Sequence, residues 1–93
     1  MLYRKQNVLS DKISETDVIL SDPDSGKTHL LNRTASAFYD VCDGVSRDDA
    51  SERYAALFAG SGAGREKLRA DAEILCNQFL EIGIITEARD EQR

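Results

Sequence analysis

The sequence predicts a small α+β domain, a three-stranded antiparallel sheet followed by three helices, compatible with a winged helix-turn-helix architecture. Three observations carry that expectation. A turn signal, Asp22-Pro23-Asp24-Ser25-Gly26, separates two short runs of strand-forming residues. Two segments then open on capping residues and close on glycine. The last long segment, from about Arg65 to Ile82, repeats its apolar residues at helical spacing.

Val8–Ser14 reads as the first strand and Asp17–Ser21, with its Val-Ile-Leu centre, as the second. Pro23 presets φ for the turn and Gly26 tolerates a positive φ, so Lys27–Leu31 should return antiparallel as the third strand. Asn32 or Thr34 caps the first helix, where Ala35, Phe38, Tyr39 and Cys42 form one apolar face and Gly44 ends it. Ser46 with Asp49 makes a capping-box-like start for the second helix, an Asp standing where Glu is usual. Its expected apolar face is Ala50, Tyr54, Leu57 and Phe58, and Gly60 stops it. After the glycine-rich connection 60–64, the third helix carries a core stripe of Leu68, Ala72, Leu75, Phe79 and Ile82. Ile84 and Ile85 form a short extended end. The expected division is an N-terminal extension over 1–7, a domain over 8–86 and a polar, frayed tail over 87–93.

Composition narrows the function classes. At 93 residues with 41% apolar and 31% charged residues, the chain forms one domain with a modest core and a strongly charged surface. Apolar runs are too short to cross a membrane, and the first residues lack the apolar stretch of a secretory signal, so a cytoplasmic location is expected. In that reducing setting Cys42 and Cys76 are expected as buried free thiols rather than a disulfide. A net charge of −5 opposes a phosphate-binding role and suits a basic or neutral partner.

The catalytic motifs fail one by one. Gly26-Lys27-Thr28 resembles the end of a phosphate-binding loop, but the glycine required five residues earlier is Ser21. Asp22, Asp24 and Ser25 suggest a calcium loop, yet its closing Glu would fall at Arg33. His29 is the sole histidine, and neither it nor the two cysteines have local metal-ligand spacing or an adjacent base. No enzyme activity, cofactor or metal is expected.

What remains is a spacing pattern. A strand ends in Leu31-Asn32, Thr34-Ala35 opens a helix, and that helix closes on Asp43-Gly44; Asp71 lies early in the last helix, which ends in Gly83-Ile84-Ile85. This arrangement, over about residues 8 to 86, resembles the PqqD-like family, the recognition elements of ribosomal peptide modification systems. The resemblance is closer to the wider family than to PqqD itself, which serves pyrroloquinoline quinone synthesis. It implies that the leader segment of a ribosomally made precursor docks as an extra strand beside the third strand, and is presented to a tailoring enzyme such as a radical maturase or leader protease. Carried onto this chain, the edge is Lys27, Thr28, His29, Leu30 and Leu31. The groove wall falls on the N-terminal half of the third helix, with Lys67, Leu68, Asp71, Ile74, Leu75 and Gln78. Ile74 and Leu75 are expected to line a pocket with Asp71 and Lys67 at its rim.

Two other readings are compatible with the same elements. A small winged-helix DNA-binding regulator would use the third helix, although Arg65, Lys67 and Arg69 there are offset by Glu66, Asp71, Glu73 and Glu81. A structural subunit of a larger enzyme would co-purify with it. An open edge strand also allows pairing with a second copy, so monomer and edge-strand dimer both remain open.

Overall fold

The computed structural model describes residues 1–88. Five strands and three helices follow in the order β1 (Leu2–Arg4), β2 (Leu9–Lys12), β3 (Val18–Asp22), β4 (Lys27–Leu31), α1 (Arg33–Val41), α2 (Arg47–Leu57), α3 (Arg65–Ile82) and β5 (Ile85–Glu87). The expected α+β class, with its meander and three helices, is the one observed. β2, β3 and β4 form an antiparallel sheet in that order. The β3–β4 hairpin pairs Val18 with Leu31 and Asp22 with Lys27, and Gly26 closes its turn at φ +71°, a conformation costly to a residue with a Cβ.

Caps set the helix starts. Asn32 Oδ1 accepts the Ala35 N–H at 3.0 Å and the Thr34 hydroxyl at 3.1 Å, so Asn32 is the cap and Thr34 supports it. Ser46 Oγ accepts the Asp49 N–H at 3.0 Å at the start of α2. Gly83, at φ +82°, ends α3 by donating its N–H to the Phe79 and Leu80 carbonyls.

The core forms where the three helices meet one face of the sheet. Phe38 of α1 lies edge-on to Tyr54 of α2 at 6.2 Å and to Phe79 of α3 at 5.6 Å, with Tyr39 also against Phe79 at 6.1 Å. Cys42 and Cys76 are buried as free thiols.

Three sequence expectations need correction. The first seven residues contain β1, which pairs antiparallel with β5 and bridges to Val45, so Leu2 is completely buried. The expected tail likewise begins inside the fold: Glu87 belongs to β5 and accepts from Arg47 Nε at 2.9 Å, while 89–93 lie outside the described residues. Arg47 also donates to Glu73 and Asn77, at 3.1 Å each, and so joins α2, α3 and β5. Second, the buried stripe of α3 is Leu68, Ala72, Cys76 and Phe79. At 100° per residue that stripe is rotated by about 35° from the expected one, which leaves Leu75 half-buried and Ile82 44% exposed. Third, α2 stops at Leu57 before reaching Gly60, and Leu57 points to solvent, because the helix buries small residues (Ala50, Ser51, Ala55) beside Tyr54.

Candidate functional site

The rotation of α3 shapes the site. The flank turned away from the core, with Leu75, Gln78 and Ile82, faces β4 across a groove of about 630 Å³. Thr28, His29, Leu30 and Leu31 form its strand side, Asn32, Thr34 and Ala35 its end, and Leu75, Gln78, Phe79, Glu81 and Ile82 its helix side. His29 and Leu31 lie opposite Leu20 and Val18 and share their face of the sheet, the face toward the helices. Thr28 and Leu30 lie on the other face, where Leu30 is exposed.

β4 forms one edge of its sheet and β2 the other. The two edges differ chemically. Two of the four residues of β2 are charged, Asp11 and Lys12, a pattern that discourages strand pairing. β4 carries Lys27 at its far end, and from Thr28 to Leu31 presents backbone groups with no Asp, Glu, Lys or Arg beside them. The unguarded edge is therefore the one with the groove next to it.

The residues expected to act together fall into three groups. Thr28, His29, Leu30, Leu31, Leu75 and Gln78 do share one groove. Asp71, Ile74 and Leu75 surround a smaller adjoining cleft with Thr34 and Tyr54. Lys67 stands at the rim, its Nζ 2.7 and 2.8 Å from the two Asp71 oxygens. Leu68 turns the other way and lines a cleft beneath α2 with Ala55, Ala56 and Ala59, and Lys27 lies outside the groove lining. The helix wall beside β4 is the C-terminal half of α3, not its N-terminal half. Phe79 packs on Phe38 and Tyr39 of α1, the helix that β4 leads into, so α3 passes the strand at that end. Phe79, Glu81 and Ile82 join the groove for this reason; the sequence pattern places Phe79 and Ile82 in the core stripe and carries no signal for their place beside β4.

Electrostatics further separate the groove from the rest of α3. Arg65 and Arg69 are held by Glu52 of α2, and Arg69 also by Asp48. Those contacts lower the Glu52 carboxyl below its ordinary value, the Arg65 hydrogen bond being the largest cause. Burial raises the Tyr54 phenol. Among the described residues, no three His, Cys, Asp or Glu side chains gather as a metal site, and no helix is long and apolar enough to cross a membrane. The groove offers a strand edge, the apolar side chains of Leu31, Leu75, Phe79 and Ile82, and polar groups interspersed among them, which is the chemistry of binding an extended chain.

Comparison with known proteins bears on the fold and the family. No curated protein sequence matches the chain significantly. Among solved structures, TbiB1 in complex with the TbiA(beta) leader peptide shares the fold, with a TM-score of 0.75 over 95% of this chain and 99% of that one, at 16% sequence identity. The family model described as coenzyme PQQ synthesis protein D (PqqD) matches residues 17–85, which hold the β3–β4 hairpin and all three helices. The chain belongs to the PqqD family.

Proposed function

We propose that this protein binds the leader segment of a ribosomally made precursor peptide as an added strand on β4, and presents the precursor to a tailoring enzyme. The observation that carries the reading is the unguarded β4 edge lying beside a groove of mixed polar and apolar lining walled by α3. The similar fold of TbiB1, a protein solved with a leader peptide bound, supports it. The step is recognition in the cytoplasm. No covalent bond forms or breaks on this chain.

Magnitudes indicate which contacts dominate. Ordering about six leader residues costs on the order of 6–12 kcal/mol of backbone entropy. Four or five new backbone hydrogen bonds return only about 0.5–1.5 kcal/mol each. Two or three apolar anchors at about 1.5–3 kcal/mol each are therefore needed to hold the peptide. Leu31, Leu75, Phe79 and Ile82 offer the walls for such anchors. Backbone pairing fixes register, and the walls select sequence.

No observation favours the DNA-binding reading. The cations at the start of α3 that would meet phosphate, Arg65, Lys67 and Arg69, are each paired with a carboxylate. The test is an amide NMR titration with the precursor peptide encoded nearest this gene. Shifts concentrated over Thr28–Leu31 and Leu75–Ile82 are expected. Absence of shifts with that peptide, together with saturable and steeply salt-dependent shifts with duplex DNA, would sink the reading.

A further inference from the structure

The cleft that adjoins the groove has a distinct chemistry. It measures about 210 Å³ and is lined by Thr34, Tyr54, Asp71, Ile74 and Leu75. Thr34 and Leu75 line the groove as well, so the two spaces share a wall. Thr34 follows the end of β4 by three residues, which puts the cleft at the point where a chain paired with β4 would run off the strand.

Its walls are largely apolar, and its rim carries the Asp71 carboxylate paired with Lys67. Ile74, 55% exposed, and half-buried Leu75 supply aliphatic surface, and the buried ring of Tyr54 supplies an aromatic one. Asp71 is the one carboxylate among the lining residues. Its partner Lys67 reaches it along the surface of the same helix and has a side chain 67% exposed to water. Such an exposed pair is weak and exchanges readily with another cation. An apolar side chain entering here would strip water from the Asp71–Lys67 pair without adding a hydrogen bond, and an acidic one would meet the like charge of Asp71. A lysine or arginine suits this lining: its methylenes lie on Ile74 and Leu75, and its head reaches Asp71 in exchange with Lys67.

We propose that this cleft is a second subsite of the recognition groove, which reads a lysine or arginine of the leader peptide just beyond the residues paired with β4. The proposal rests on the leader-binding reading above and assigns it a charge preference. The net charge of −5 on the chain favours a basic ligand in the same sense.

The experiment is selection of a random peptide display library on the immobilised protein and on its Asp71→Asn and Asp71→Lys variants, each checked for folding by its amide spectrum. Peptides enriched on the unmodified protein should show alternating apolar positions with Lys or Arg at one fixed spacing from them. Asp71→Asn should keep the apolar pattern and lower the basic preference about fivefold, the scale of a partly exposed ion pair. Asp71→Lys should replace it with Asp or Glu at the same spacing. Alternating apolar positions without a basic one, or a basic position indifferent to both variants, would overturn the subsite and leave leader recognition standing. If the folded protein enriched no alternating apolar pattern, the recognition reading would fail and the subsite with it.

Discussion

Lys5 Nζ lies 2.7 Å from Asp22 Oδ2, and this contact joins the segment after β1 to the start of the β3–β4 turn. Asp22 is buried, and its other oxygen accepts the Asp24 N–H at 3.0 Å; the Lys5 backbone N–H meets the Ile84 carbonyl at 2.9 Å. One residue thus couples the β1–β5 ribbon to the sheet that carries the groove.

That coupling predicts a two-sided pH dependence. The hydrogen bond from Lys5 holds the Asp22 carboxyl below its ordinary 3.8, outweighing burial, which pushes the other way. The same bond raises the Lys5 ammonium above its ordinary 10.5. For Asp22 the stabilisation is present above the unfolded value and lost as pH falls through the lower folded value. For Lys5 it is present below the unfolded value and lost as pH rises through the higher folded one. The urea midpoint should therefore be lower for Lys5→Met than for the unmodified protein across the neutral range. The two should converge only as pH falls below 3.8, through the lowered Asp22 value, and as it rises above 10.5, through the raised Lys5 value. A gap between the two curves that stayed constant at all pH values would refute the coupling.

The β1–β5 ribbon was also the part least legible in the sequence. Each of its strands has three residues, and Leu2 meets Glu87 from the opposite end of the chain, so no local period or turn announces the pairing. The hairpin was legible because Pro23 and Gly26 state its turn locally, and α1 and α2 because Asn32 and Ser46 state their starts. The site lies between these cases. Thr28–Leu31 could be read as an edge from strand order, but which flank of α3 faces it depends on Phe79 docking against α1, a long-range packing event. A rotation of about 35° separates a stripe through Leu75 and Ile82 from one through Cys76, too small for periodicity to resolve.

Leu2→Ala should be among the most damaging single changes outside the aromatic core. The side chain is fully buried, and its backbone bonds both ways, its N–H to the Val45 carbonyl at 2.6 Å and its carbonyl to the Gly44 N–H at 2.7 Å. Truncating a buried Leu to Ala costs about 2–5 kcal/mol. Urea unfolding should show that loss; a change within about 0.5 kcal/mol, the range of surface substitutions, would mean that the N-terminal strand does not hold the core.

The two thiols should be silent in the folded protein. Burial is the main cause pushing Cys42 up to about 12, and it also raises Cys76. Thiolate is the reactive form, so a thiol reagent at neutral pH should label both only after unfolding. Labelling rates should rise with urea in step with loss of structure. Rapid native-state labelling of either residue would show that the α1–α3 packing opens locally.

Ile82 gives the sharpest separation of binding from folding. It lines the groove beside β4 yet is 44% exposed, so Ile82→Ala should leave stability within about 0.5 kcal/mol of the unmodified protein. A leader side chain seated against it would lose part of the roughly 1.5–3 kcal/mol that an apolar anchor contributes, weakening affinity about tenfold. Leu9, 64% exposed on the charged β2 edge, is the matched control, and Leu9→Ala should change neither quantity. Calorimetric titration of both variants with the precursor peptide decides between the two edges. Loss of affinity in Leu9→Ala with none in Ile82→Ala would move the peptide to β2 and leave the α3 groove without its ligand.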